Sequence, residues 1–387
     1  MKVIYNETRQ KRPIKCWCMN PENGAIDQAV NLSNLPFLFK HVALMSDTHQ
    51  GYGMPIGGVI ACKNVIIPNA VGVDIGCGMR AMKTNLTDIT TEDLKILMGK
   101  IRDVIPVGFN HKKEQSAWSG FDTAPIHISI IKQELEKAKY QIGTLGGGNH
   151  FIEIQKGSDG FIWIMIHSGS RNFGLKIAKT YNEIAQNLCE KWYSNIPKYS
   201  GQDGLAFLPI DTQEAIEYID AMNFALHFAL CNRATMMYNV IKCLPDNCCQ
   251  DASIYDVQHN YAAMENHFNQ NVWIHRKGAT LARGGFIGII PGSQGSNSYI
   301  VEGLGNPESF MSCSHGAGRA MGRNHAIKNL NLEDEQKKMK DIIHSVRTVK
   351  ELDESVGAYK DIQVVMNEQK DLVKVLVELT PLGVIKG

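Results

Sequence analysis

Phe161-Ile162-Trp163-Ile164-Met165-Ile166 runs without interruption into His167-Ser168-Gly169-Ser170-Arg171. Six apolar residues rich in β-branched and aromatic side chains read as a buried strand, and the serines and glycine after them stop it in a polar turn. The same unit recurs along the chain. Val42-Ala43-Leu44-Met45 leads into Ser46-Asp47-Thr48-His49-Gln50-Gly51-Tyr52-Gly53, and Val65-Ile66-Ile67-Pro68 leads into Gly72-Val73-Asp74-Ile75-Gly76-Cys77-Gly78-Met79-Arg80. Phe286-Ile287-Gly288-Ile289-Ile290 ends in Pro291-Gly292-Ser293-Gln294-Gly295. In one place the order is reversed: Gly146-Gly147-Gly148-Asn149-His150 precedes the alternating run Phe151-Ile152-Glu153-Ile154.

Apolar residues at three-to-four spacing predict helices over 175–192, 215–244, 316–330 and 332–345. Strands and helices mix without a regular βαβ beat. That points to an α+β fold, with packed β-sheets in the core flanked by helices. No internal repeat, low-complexity linker or shift in composition marks a boundary, so residues 1–387 read as a single domain.

Composition sets the class. With 44% hydrophobic and 20% charged residues the chain can bury a large core, which excludes disorder. No apolar run approaches the roughly 18 residues of a membrane helix, and Met1-Lys2-Val3-Ile4-Tyr5-Asn6-Glu7 lacks the plan of a signal peptide, so the expectation is a cytoplasmic protein with no membrane partner. Forty basic against 39 acidic residues leave a net charge of +1. Any phosphate-binding surface must then be local.

None of the ten cysteines forms a C-x-x-C pair, so zinc-ribbon and thioredoxin readings lack support. Most are expected to be small buried hydrophobes. Cys77 is different in having Asp74 three residues before it in a glycine-rich turn. A buried thiol beside a turn-capping aspartate is the ordinary reading of that segment alone. His150, His167 and His259, each in a turn or at a strand end, make an Asp/Cys/His₃ cluster credible. Five ligands exceed a closed tetrahedral site. Two metals sharing the thiolate would use all five and suit phosphoryl chemistry. Manganese, zinc, iron and cobalt all remain open.

Ser312-Cys313-Ser314-His315-Gly316-Ala317-Gly318-Arg319 reads as the opening of a helix, where small residues would let a phosphate reach main-chain N–H groups. An imidazole there is a competent nucleophile toward phosphorus. Pro291-Gly292-Ser293-Gln294-Gly295-Ser296-Asn297-Ser298 could cradle phosphates or a base. Neither a Walker loop nor a dinucleotide fingerprint followed by a well-placed acid occurs. Single basic residues in turns (Arg80, Arg171, Arg276, Lys277, Arg319 and Arg323) read as phosphate contacts, whereas Lys337-Lys338-Met339-Lys340 reads as a solvated helix surface. His111-Lys112-Lys113 is also read as solvated, with RNA contact as the alternative.

Asp74-Ile75-Gly76-Cys77-Gly78, Gly148-Asn149-His150-Phe151, His167-Ser168-Gly169-Ser170-Arg171, His259-Asn260-Tyr261 and His315-Gly316-Ala317-Gly318-Arg319 occur in the order of the RtcB family of RNA 3′-phosphate ligases, which the chain resembles over nearly its whole length. The resemblance implies joining of an RNA 3′-phosphate or 2′,3′-cyclic phosphate to a 5′-hydroxyl end, with GTP as cosubstrate and two Mn²⁺ ions. It implies that Cys77 bridges the ions, with Asp74 and His150 completing one and His167 and His259 the other. His315 would accept GMP. Asn149, Phe151, Glu153, Asn260, Pro291, Gly292, Ser293, Ser298, Gly316, Ala317, Gly318, Arg319, Tyr359 and Lys386 would hold the nucleotide, and Arg171 an RNA phosphate. Glu153 would face the N1–H and N2–H₂ donors of guanine, a pair that adenine lacks. An archease-like protein is a candidate activator. Gln294 stands where the family suggests methionine, and the stretch from Asn110 to Gln141 is short. Two rival readings are a dinuclear-metal phosphodiesterase or phosphatase, which needs no His315, and a non-catalytic binder of RNA ends.

Overall fold

A computed structural model of the protein describes residues 1–194, 204–250 and 252–387. The fold is α+β. Among the described residues it has two large sheets. A seven-stranded sheet has the spatial order Ile254–Gln258, Gly78–Lys83, Ile162–Ser168, Phe151–Gly157, Val373–Lys386, Ser298–Gly303, Ile287–Ile290. A six-stranded sheet has the order Lys2–Ile4, Ile14–Cys16, Leu38–Tyr52, Met54–Cys62, Gln270–Lys277, Asn260–His267.

The run beginning at Ile162 is an inner strand of the larger sheet and is buried along its whole length. Its period of two sends Ile162, Ile164 and Ile166 to one face, where they pack with Met236, Met237 and Val240 of the helix Gln213–Ile241. Trp163 and Met165 go to the other face, against Met79, Ile300 and Val384. Covering both faces explains the continuous apolar run, since neither set of side chains meets water. Truncating Ile164 to alanine would cost about 2–5 kcal/mol, the usual range for a fully buried isoleucine.

The chain leaves one sheet and enters the other at a single residue. His259 stands between the edge strand Ile254–Gln258 and the edge strand Asn260–His267. Gln258 pairs with Gly78, and Met79 pairs with His167. The ends of three neighbouring strands therefore bring Cys77, His167 and His259 together. The main-chain N–H of His259 donates to the carbonyl of Cys77 at 3.0 Å.

Several local expectations change. The predicted turn at 46–53 continues the strand Leu38–Tyr52, with register breaks on either side of His49. The helix predicted over 175–192 begins at Arg171 and ends at Lys191, and that over 215–244 is Gln213–Ile241, with the Thr212 side chain accepting from the Ala215 N–H. No helix opens at His315. Ser312–Ser314 is a strand paired with Ala279–Leu281, and the helix begins only at Arg323. Gly318 breaks the helical pattern with φ +73°, where a Cβ would lie 2.2 Å from the carbonyl oxygen of Asp47. The segment after Leu332 is helical only to Lys338. Met339 is buried, not solvated, and the chain beyond it extends so that the Ile343 N–H bonds the carbonyl of Leu382.

Candidate active site

The cluster forms as three nitrogens and a sulfur converging in a buried space. Cys77 Sγ lies 3.2 Å from His167 Nε2 and 3.6 Å from His150 Nε2. His167 Nε2 lies 3.4 Å from His259 Nε2, and His150 Nε2 lies 3.3 Å from Asp74 Oδ2. The outer nitrogens set the tautomers. His150 Nδ1 donates to the carbonyl of Leu145 at 2.9 Å, and His167 Nδ1 to that of Asn149 at 3.1 Å. Both Nε2 atoms thus turn lone pairs inward. Nδ1 of His259 is buried without a partner.

The bare Nε2 atoms of His150 and His167 converge on Cys77 Sγ, an arrangement that can hold a cation. The donor set, imidazole nitrogens with a thiol and a carboxylate, suits a borderline divalent ion. Cys77, His150 and His167 form a metal-binding site by geometry, with ligand atoms within 4.8 Å of one another. Asp74 and His259 adjoin it. Burial pushes the Cys77 thiol well above its ordinary value and the His167 and His259 imidazoles well below theirs. Burial alone would also raise the Asp74 carboxyl, but its neighbours His150, Cys77 and Arg171 together carry it below its usual value. Close packing matters at Gly169, where a Cβ would lie 2.6 Å from Asp74 Oδ1.

His315 stands next to this cluster. Its ring centroid is 4.8 Å from that of His259. Asp47 Oδ2 accepts from the His315 main-chain N–H at 3.1 Å and lies 2.7 Å from Nδ1. The carboxylate holds the proton on Nδ1 and leaves Nε2 free as a nucleophile.

His315 and His167 both border a cavity of about 310 Å³. Phe151, Glu153 and His167 share the face of the sheet that Trp163 and Met165 occupy, because they lie at even offsets on paired strands. Lys386 pairs with Phe151 in the adjacent strand. Asn149, Pro291, Gly292, Ser293, Gly316, Ala317, Gly318, Arg319 and Tyr359 complete much of the remaining wall. Burial lifts the Glu153 carboxyl to about 8, against the opposing pull of Lys386 and a hydrogen bond from Gln155.

Two residues named from sequence lie behind this wall. Ser298 Oγ is buried, accepting from the Gly292 N–H and from Gln155 Nε2. Asn260 braces the cluster, donating from Nδ2 to the Asp74 carbonyl and accepting at Oδ1 from the Gly278 N–H. Arg171 binds Thr144 Oγ1 and the Gly108 carbonyl and lines a second cavity. Arg80, Arg276 and Lys277 are occupied internally and are not free phosphate contacts. Arg80 pairs with Asp256, Arg276 pairs with Glu265, and Lys277 donates to the carbonyls of Tyr52 and Asn69.

Sequence reading missed two residues. Asp47 was visible only as part of a turn-like motif. Glu354 gave no local signal, yet it is 4% exposed in the cavity wall and collects Arg319 at 3.0 Å, Arg323 at 3.1 Å, Lys386 at 3.7 Å and the Tyr359 hydroxyl. Gln294 Nε2 adds a bond of 2.7 Å to its carbonyl oxygen. The unexpected glutamine thus ties the Pro291–Ser298 loop to this carboxylate's segment.

Residues 28–387 match the family model described as "tRNA-splicing ligase RtcB". The chain is 38% identical to the RNA-splicing ligase RtcB of Escherichia coli (strain K12), over 98% of both chains. It is 32% identical to the tRNA-splicing ligase RtcB of Methanococcus maripaludis (95% of this chain, 92% of the relative). Against that of Pyrobaculum aerophilum the identity is 30% (94% and 91%).

Proposed function

The chain belongs to the RtcB family of RNA-splicing ligases, and on that premise we infer that it seals RNA ends of the 3′-phosphate and 5′-hydroxyl type by way of a GMP–His315 intermediate. It is an RNA ligase acting in RNA repair or tRNA splicing. The observation that carries the route is the position of His315, held by Asp47 on one side and meeting both the cluster and the cavity on the other.

His315 Nε2 attacks the α-phosphorus of GTP and pyrophosphate leaves, while the Nδ1 proton stays on the hydrogen bond to Asp47. An oxygen of the RNA 3′-phosphate then attacks the GMP phosphorus and frees the imidazole. The 5′-hydroxyl of the second strand attacks the activated 3′-phosphorus, GMP departs, and a phosphodiester remains. A cyclic end is first opened by water. Cys77, Asp74, His150, His167 and His259 would hold two Mn²⁺ ions. When bound, those ions supply charge neutralisation at the phosphoryl oxygens. Glu153 and Lys386 read the guanine edge, Tyr359 stacks on the base, and Arg319, Asn149 and the Pro291–Ser293 loop hold ribose and phosphates. Arg171 meets an RNA phosphate. Asn260 and Ser298 act from behind, through Asp74 and Gly292.

Residues 1–387 act as one catalytic domain in this reading, since both large sheets contribute. Among the described residues no helix is long and apolar enough to cross a membrane. The reading proposes a cytoplasmic enzyme. An archease-like activator fits the same reading. The rival hydrolase gives no purpose to the His315–Asp47 pair. Incubation with α-labelled GTP and Mn²⁺ tests the route. Acid-labile, alkali-stable label on the wild-type protein, lost in His315→Ala, is expected; label that persists in the variant removes His315 from its role.

A further inference from the structure

Asn232 and Arg233 are successive residues of the helix Gln213–Ile241, and both are wholly buried. Their helical neighbours Phe228, Ala229, Met236 and Met237 are apolar and buried as well. A charge taken out of water is costly unless it is paired and fully hydrogen-bonded, and an apolar side chain of similar size often serves stability better. The polar pair therefore does something other than fill the core.

The Arg233 fork points two ways. Nη1 donates to the carbonyls of Gly76 at 2.8 Å and Ser168 at 3.0 Å. Nε and Nη2 bind both oxygens of Asp256, at 3.0 and 2.6 Å. Gly76 precedes Cys77, Ser168 follows His167, and Asp256 lies on the edge strand that leads into His259. Asn232 reaches the remaining segments. Its Oδ1 accepts from the N–H groups of Gly143 at 2.7 Å and Thr144 at 3.1 Å. Its Nδ2 lies 3.2 Å from the Ser168 hydroxyl oxygen and 3.1 Å from the Gly169 carbonyl. The Ser168 hydroxyl in turn donates to the Leu145 carbonyl, the same oxygen that fixes the His150 ring. Gly169 packs against Asp74. Room for the guanidinium comes from Gly78, where a Cβ would lie 3.0 Å from Arg233 Nη1.

Two adjacent side chains of one helix thus hold the main chain or the supports of all five candidate ligands. We propose that Asn232 and Arg233 are positioning residues of the metal cluster, fixing the segments around Asp74, Cys77, His150, His167 and His259 so that the donor atoms converge before an ion binds. The assignment rests on the reading of the cluster as a metal site given above. Supports one step behind the ligands typically set metal affinity by about ten- to hundredfold. Lysine keeps the charge of Arg233 but cannot grip a carboxylate with two parallel bonds while reaching two carbonyls.

Calorimetric titration of the metal-free full chain with Mn²⁺ alone is the test. Arg233→Lys should raise Kd about ten- to hundredfold, and Asn232→Ala about tenfold. Arg276→Lys is the matched control, because Arg276 is equally buried and bidentate on Glu265 but otherwise bonds Ser312, Tyr261 and Phe310. It should lower the melting temperature as Arg233→Lys does, yet leave Kd within twofold. Kd within twofold of wild type in both Arg233→Lys and Asn232→Ala overturns the assignment. So does equal weakening in Arg276→Lys, which traces the effect to general stability. Should Arg233→Lys not fold, Asn232→Ala against the same control decides. A wild-type protein that takes up no Mn²⁺ removes the metal reading itself, a separate failure.

Discussion

Asp47 and His315, 268 residues apart in sequence, are joined by two hydrogen bonds to a single carboxylate oxygen. One bond holds the backbone of His315, and the other fixes the proton on its ring. The pair repeats the logic of a histidine oriented by a buried carboxylate, here with the histidine itself as the proposed attacking group.

Asp47→Asn should therefore slow transfer of GMP to the protein about a hundredfold to ten-thousandfold, as loss of the tautomer-holding carboxylate does elsewhere. Metal content should match wild type, because Asp47 does not belong to the cluster. A rate within threefold of wild type would remove the carboxylate from the step.

Cys77 Sγ lies against both His150 and His167; on the proposed assignment it bridges two ions, so Cys77→Ala should lose both. Metal analysis of the purified variant should fall from two manganese ions per chain to fewer than one. Full occupancy would defeat the bridging role.

On the proposed contact between Glu153 and guanine, binding of the base should depend on pH. Burial carries the Glu153 carboxyl from 4.5 to about 8. A raised acid keeps, when folded, a proton that the unfolded chain has shed. Its stabilising contribution is thus full below pH 4.5 and lost as pH rises through 8. The guanine edge needs the ionised form as acceptor, so binding below pH 8 expels a proton. Guanosine affinity should rise by up to about tenfold per unit from pH 6.5 toward 8 and level off just above it. Calorimetry with guanosine, which carries no phosphate of its own to titrate, measures this. Glu153→Gln should bind weakly at every pH without that slope; the same slope in the variant would assign the titration elsewhere.

Glu354→Gln should loosen the wall that Arg319, Arg323, Lys386 and Tyr359 form around one carboxylate. KM for GTP should rise tenfold or more. Stability should fall by about 2–3 kcal/mol, less than for a fully buried pair because Arg323 is half exposed. Normal KM with normal stability would show the network to be idle.

The Pro291–Ser298 loop, the five motifs and the apolar strands were legible because each is local. A run of six apolar residues before glycine and serine can do little but stop at a turn, whatever lies elsewhere. Residues 316–330 misled because small residues and an arginine satisfy helical spacing, while the approach of the Asp47 carbonyl to Gly318 does not show in their own neighbourhood.

From residue order came the α+β class and the candidate ligands, through side-chain chemistry and short-range periodicity, and the candidate nucleophile, through the order of motifs that carries the family resemblance. The crossing of His259 from one sheet to the other, the joining of Asp47 to His315 and the gathering of four side chains on Glu354 arose only on folding. Strand order and register set those meetings, and both depend on pairings between segments hundreds of residues apart that no local pattern encodes.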